Sequence, residues 1–273
     1  MTDRPEEIEK RLAAIEEIGD VVGALRVIAA GRAAAAQGAL AAISAYESQI
    51  RAALARLAAP PATPPVEGAG MVIVIGAAQG FSGAYPQRLA QTTLEKAPAR
   101  AGYLIVGART QAMLAGAGLD TLLAADLPPT PADVPALASR ITDILVHRAE
   151  RYPGPILAVS GRDLPGQPVE LRRIWPPETE GPEAPPASGP APVTSLPPEV
   201  LVAGLLEETL FSEVARALIE GLRVENLARV EAMARSAGNL KTRRTEMEHR
   251  FRQARQEQMT TELLELSTAR SGD

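Results

Sequence analysis

Several residues in this chain are of types that could do chemistry, and their spacing says which chemistry is available. Gly76 to Gly83 (GAAQGFSG) follows an apolar run and precedes a helical one, where a phosphate-cradling loop would sit. It ends in no Gly-Lys-Ser/Thr and lacks Gly-x-Gly-x-x-Gly spacing, and no lysine follows to reach a phosphate. A tight strand-to-helix turn, in which glycine permits positive φ, is the better account of it. His147 and His249 lie in helical stretches with no second histidine or carboxylate pair at ligand spacing, so neither metal nor acid–base work is expected of them. Ser82 and Ser160 have no histidine nearby in sequence to make a triad. The chain therefore offers no catalytic constellation, and no cofactor or metal is expected.

A different cluster is denser. Lys241, Arg243, Arg244, Arg250, Arg252 and Arg255 crowd one segment, against Glu246 and Glu248. One account is a solvated helix face with i,i+4 pairs such as Glu246–Arg250 and Glu248–Arg252. The other is a basic collar that meets an acidic partner surface. A nucleic-acid surface fits poorly, because the net charge is -5 and only 3% of residues are aromatic.

The elements that must position these residues fall into two grammars. From Pro5 to Leu57 the chain reads as one helix, ended by Pro60-Pro61. Ile18, Val22, Leu25, Ala29, Arg32, Ala36, Ala39, Ile43, Tyr46, Ile50, Ala53 and Leu57 step by four and three, a heptad seam that lets one helix lie along another. Ile8, Leu12 and Ile15 share the rhythm, but the next position is Gly19, so the spacing predicts a one-residue slip there. Glu199 to Arg270 reads as a second long helix without proline. Its seam runs through Met233, Ala237, Leu240, Arg244, Met247, Phe251, Ala254, Gln258 and Thr261 and grows polar toward the end, as a helix end facing another protein would.

Between the helices, Met71–Ile75 (MVIVI), Tyr103–Val106 (YLIV), Ile156–Val159 (ILAV) and Val169–Trp175 (VELRRIW, at an edge) read as strands. Helical stretches at about 84–96, 109–117 and 133–151 alternate with them. That order predicts a small α/β, Rossmann-like domain with a mostly parallel sheet. The expected organisation is a coiled-coil helix over 1–59, an α/β domain over 68–176, a Pro-rich linker over 177–198 and a second coiled-coil helix over 199–273. Hydrophobic content of 46% supports a core, and the absence of cysteine excludes disulfides and thiolate chemistry. Thr2 to Arg11 is charged, with no apolar signal region, and no run reaches the length of a membrane span.

Three blocks of this sequence resemble the gamma subunit of F-type ATP synthases. Ala24 to Arg32 (ALRVIAAGR) is similar to the family's Ala-Met-x-Met-Val-Ala-Ala-x-Lys block, with Gln37 and Tyr46 in place. Glu225 to Met233 (ENLARVEAM) is similar to Glu-x-x-Ala-Arg-x-x-Ala-Met, with Asn239 following. Ala254 to Leu266 (ARQEQMTTELLEL) is similar to the terminal Ala-Arg-Gln-x-x-Ile-Thr-x-Glu-Leu-x-Glu-Ile signature, the most specific of the three. The family's Asp-Arg-Gly-Leu-Cys-Gly-Gly turn stands here as Ala78 to Ala84, and Glu16, Glu17, Asp20 and Gly23 replace its first-helix lysines.

The resemblance implies a long antiparallel coiled coil of the N- and C-terminal helices with the small α/β domain inserted, and a non-catalytic central-stalk rotor subunit. It implies alpha and beta subunits of a catalytic head, an epsilon subunit and a c-subunit ring as partners, with no nucleic acid and no membrane span of its own. It places the chain peripherally at the cytoplasmic face of a bacterial inner membrane, coupling proton or sodium flow to ATP synthesis or hydrolysis. Carried over by position, Arg255, Gln256, Thr260 and Glu262 would engage a beta-subunit loop, with Leu263 adjoining. The departures leave a gamma-like subunit of a second, divergent ion-pumping F-type ATPase as one alternative. An enzyme built on the glycine-containing turn, and a coiled-coil scaffold binding nucleic acid through the basic collar, are the alternatives from other classes.

Overall fold

The computed structural model describes residues 4–57, 68–161, 169–176 and 194–270, with side chains through 264. The Pro-rich stretch expected as a linker lies outside the described residues as far as 193. Helix α1 runs Pro5–Arg56 and α5 runs Pro198–Arg270 without a break. Between them come β1 (Met71–Ile75), α2 (Tyr85–Lys96), β2 (Gly102–Val106), α3 (Ala108–Leu114), β3 (Asp120–Ala125), α4 (Val134–Arg148), β4 (Ile156–Gly161) and β5 (Val169–Trp175). Pro86 and Pro135 stand in the first turns of α2 and α4, where a missing N–H costs nothing. The chain divides into two compact units, Ala29–Arg229 and the pair Met1–Ile28 with Val230–Asp273.

The first unit is built on a five-stranded sheet of order β3-β2-β1-β4-β5, parallel except for the antiparallel β4–β5 pair. Strand β5 is at the edge, as its mixed pattern predicts. Strand β3 is the element that the sequence did not reveal; its run DTLLAA is short and only Leu123 is fully buried. Period two divides β1 between two cores. Met71, Ile73 and Ile75 face α4 (Val134, Ile141, Leu145) and α5 (Val214, Leu218, Leu222), while Val72 and Val74 face α2 (Tyr85, Leu89).

Helix α1 packs against the first of these cores through Ala36, with Ala39, Leu40 and Ile43 beside it. Two contacts set its direction. Arg216 of α5 donates through Nε to Glu47 at 2.7 Å and through Nη2 to the same carboxylate. Nearer the start of α1, Arg32 approaches the loop that also binds Glu225 of α5. Moving along α1 from 32 to 47 thus moves back along α5 from 225 to 216, which is antiparallel.

Glu47 and Arg216 belong to a charged cluster with Glu213 and Glu220 on α5 and Arg172 on β5, whose Nη2 reaches Glu220 at 2.6 Å. Burial, then the nearby Glu47 carboxylate, holds the Glu213 carboxyl above its usual range, against the opposing pull of Arg216 and Arg172. The folded chain therefore binds this proton more readily than the unfolded one. Its contribution to stability is present at low pH and is lost as pH rises from the ordinary carboxylate value through the raised one. Glu213→Gln is expected to raise the melting temperature at neutral pH, with the difference vanishing by about pH 4. A melting temperature unchanged at neutral pH would sink this account.

The second unit pairs the start of α1 with the distal part of α5. Ile8 and Val22 on α1, and Met233 and Ala254 on α5, are buried there. Glu16 and Arg244 approach to 3.8 Å across the pair and fix its register. Ile8, Leu12, Ile15, Gly19 and Val22 turn inward with no slip. Ile18, placed in the seam by the heptad reading, instead lies 52% exposed. The reason is that an apolar pattern marks a seam position by its side chain, so a seam position held by glycine is passed over for its neighbour.

Candidate functional site

The first place to test for chemistry is the turn after β1. In open α/β sheets, ligands bind outside the carboxyl ends of the strands where the strand order reverses. Here that point lies between β1 and β4, because β1 is followed by α2 on one face while β4 is preceded by α4 on the other. The crevice is filled from within. α5 crosses it, contributing Leu222 to one core and Val224 and Ala228 to the other. Gly221 and Gly161 permit the crossing: a Cβ at Gly221 would stand 2.2 Å from Cγ2 of Ile75, and one at Gly161 would stand 2.7 Å from Val224.

Polar groups seal the same place. The Gln79 N–H, which in a phosphate loop would face a ligand anion, donates to the Glu225 carboxylate at 3.0 Å. Arg229 donates through Nη2 to that same carboxylate oxygen at 2.6 Å, through Nε to the Gly80 carbonyl at 3.1 Å, and through Nη1 to Asn226 at 2.8 Å. The ion pair is almost wholly out of water, with side-chain exposures of 7% and 3%. Arg32 of α1 donates to the Gln79 side chain at 3.1 Å, so one loop residue is bonded to both long helices. The turn is thus a docking point for α5 with an internal carboxylate where an anion would lie. Phe81 beyond it takes a positive φ of 64° and is exposed.

The remaining candidates do not converge on catalysis. His147 is exposed, its Nδ1 paired with the Asp143 carbonyl at 2.7 Å, and His249 is exposed on α5. Ser82 and Ser160 are buried. Tyr85, also buried, accepts a hydrogen bond from the Gly161 N–H at 3.3 Å, and burial drives its phenol well above the usual range. Among the described residues no group of His, Asp and Glu could hold a metal ion. Among the described residues no helix is long and apolar enough to cross a membrane.

The distal end of α5 is a different kind of surface. Along it Met233 and Ala254 are buried, and Ala237, Leu240, Met247 and Phe251 are half-buried. On α1 Val22 and Ala29 are buried and Leu25 is half-buried. From Arg255 to Leu264 every side chain is exposed. The Glu16–Arg244 register puts the start of α1 opposite about residue 255, so among the described residues no helix pairs with α5 beyond it. Arg255, Gln256, Thr260 and Glu262 stand on this exposed stretch, and so do Met259, Leu263 and Leu264, at 53%, 67% and 60% exposure. Exposed apolar side chains on a helix end suit an interface. In the basic segment, Arg244 pairs with Glu248 at 2.9 Å and with Glu16, which holds its guanidinium above the usual range. Lys241, Arg243, Arg250, Arg252 and Arg255 are likewise exposed.

Sequence reasoning quoted Glu225 and Arg229 only within a matching block. The available signal was an acid and an arginine four residues apart inside an otherwise apolar helical stretch, where an unpaired charge would be costly.

A family model described as ATP synthase matches residues 4–271. No curated protein sequence matches the chain. Among solved structures, a chain of the Euglena gracilis mitochondrial ATP synthase, determined with OSCP, F1 and c-ring in rotational state 3, is similar at 15% identity and a TM-score of 0.65. That match covers 98% of this chain and 94% of the other. A rotor chain of the same organism's enzyme, in rotational state 1, matches at 13% identity and 0.61, covering 93% and 98%. A chain from the central stalk and c-ring of the Tetrahymena thermophila mitochondrial ATP synthase matches at 13% and 0.56, covering 79% and 99%. At these identities the likeness is one of fold.

Proposed function

This chain belongs to the gamma-subunit family of the ATP synthases, and from that premise we propose that the free end of α5 carries its coupling contact with the catalytic head. The chain is a central-stalk rotor subunit of an F-type ATP synthase and not itself a catalyst. Its partners in this reading are the alpha and beta subunits around the stalk, the epsilon subunit, and a c-subunit ring driven by proton or sodium flow. It would work peripherally at the cytoplasmic face of a bacterial inner membrane.

One observation carries the contact: from Arg255 to Leu264 no side chain of α5 is covered. Arg255, Gln256, Thr260 and Glu262 supply a cation, an amide, a hydroxyl and an anion for a beta-subunit loop, and Met259, Leu263 and Leu264 supply the apolar area beside them. As the stalk turns, each beta subunit meets a different face. Differential contact of this kind is what a coupling free energy requires.

The test is co-expression with the alpha and beta subunits of the same organism, followed by size exclusion and an ATPase assay. A single large complex whose activity needs this chain is expected; the chain eluting alone would overturn the reading. Within the assembled complex, Arg255→Ala and Gln256→Ala should each lower coupled ATP synthesis about fivefold or more, as the ~1–3 kcal/mol of a typical coupling energy implies. Normal synthesis by both single variants and by the double variant would remove these residues from the contact.

A second reading, a gamma-like subunit of a second ion-pumping F-type ATPase, draws on the altered turn. Where the family carries Asp-Arg, this chain has Ala78-Gln79, with Arg32 on α1 now bonded to the Gln79 side chain.

A further inference from the structure

The proposed head contact needs only the free end of α5, yet the helix is also bonded into the switch-point crevice of the sheet. We infer that the junction of Gln79, Gly80, Glu225 and Arg229 is the rotational key of the stalk, fixing the angle of α5 about its own axis against the α/β body. The inference rests on the rotor reading above and names positioning residues for it.

Apolar packing alone would hold that angle poorly. The face of α5 that lies on the sheet is made of Val214, Ala217, Leu218, Ile219 and Leu222, and apolar contact is non-directional. Turning a helix by one residue swings its side chains through ~100° and offers the sheet another apolar set. The junction removes that freedom. Glu225 must meet the Gln79 N–H at 3.0 Å while Arg229, one turn on, meets the Gly80 carbonyl at 3.1 Å. Both acceptor and donor are main-chain groups of one loop, so they cannot follow the helix as flexible side chains could. Any rotation would carry the Glu225–Arg229 pair, which stays bonded within α5, away from the loop and leave the Gln79 N–H and the Gly80 carbonyl without their partners, a cost that a single angle of α5 avoids. Gly221 against Ile75 adds a steric stop one turn before Glu225. Arg32 extends the tie to α1 through the Gln79 side chain. From this junction α5 continues without a break to Arg270.

The test uses membrane vesicles carrying the full complex with Glu225→Gln, Arg229→Lys or, as control, Arg235→Ala. Arg235 makes an equivalent pair with Glu231 on the same helix, but an exposed one with no tie to the sheet. Complex content, ATP hydrolysis and ions pumped per ATP are read together. Glu225→Gln and Arg229→Lys are expected to assemble and to hydrolyse ATP at near wild-type rates, with pumping per ATP reduced roughly threefold or more; Arg235→Ala should match wild type. An unchanged pumping ratio in both junction variants would overturn the inference. So would loss of assembly in both, which would make the junction a folding element only. If the wild-type chain itself fails to enter a complex with alpha and beta, the rotor reading fails and takes this inference with it.

Discussion

Arg229→Ala is expected to lower the stability of the chain by ~3–5 kcal/mol, the largest effect of any single change considered. The pair it breaks is buried on both sides, and the variant leaves the Glu225 carboxylate with one remaining donor, the Gln79 N–H. The Gly80 carbonyl and the Asn226 side chain lose their donor at the same time. The cost comes from stranding these groups rather than from any great net worth of the ion pair. A double variant, Glu225→Met with Arg229→Leu, should therefore recover part of the loss, because apolar replacement of both partners is often near neutral. It would still leave the Gln79 N–H without an acceptor, a penalty of about 1–3 kcal/mol. Arg235→Ala, whose side chain is 61% exposed, should move the denaturant midpoint by well under ~1 kcal/mol equivalent. Equal effects for Arg229→Ala and Arg235→Ala in urea unfolding would refute the burial argument.

Gly221→Ala should destabilise by ~1–3 kcal/mol, although alanine is the better helix former by about 1 kcal/mol. The added methyl would stand 2.2 Å from Cγ2 of Ile75, a branch that is stiff at χ1 and belongs to a central strand. The identity of that atom makes a sharper test. Ile75→Leu keeps the side-chain volume but removes the Cγ2 branch. In that background Gly221→Ala should cost little or become stabilising, as the helix preference is no longer opposed. Additive effects of the two changes would mean that the close approach of α5 to β1 is not what selects glycine at this position.

The sequence made the long helices plain because heptad spacing repeats over many turns and no proline interrupts it. Four strands were legible from short apolar runs, and β5 even showed its edge position through the alternation of VELRRIW. Strand β3 was not, since Asp120–Ala125 hydrogen-bonds on one side only and buries a single residue fully. The seam was read one residue out of phase near Gly19 for want of a side chain to mark it. The free end of α5 showed itself as a seam that turns polar after Ala254. The switch-point junction was the least legible feature. Its bonds join positions some 150 residues apart, Gly80 to Arg229, and two of its four members meet α5 only through main-chain atoms. No pattern of side-chain types records a backbone N–H. The glycine-containing turn therefore read as a tight strand-to-helix turn, and no letter in it showed that its Gln79 N–H meets a carboxylate of the same chain.

The uncovered end of α5 has one more consequence, which lies in its arithmetic. Successive side chains on an α-helix point ~100° apart, and three equal neighbours set around an axis stand ~120° apart. Arg255, Gln256 and Glu257, all exposed, would then each address a different neighbour at any instant: a positive charge to one, a neutral amide to the next, a negative charge to the third. A third of a revolution passes each of these on by one place. Three chemically identical neighbours would be kept unequal by three consecutive letters of sequence. The order in which those letters are spelled along the helix would become the order in which each neighbour meets them in time.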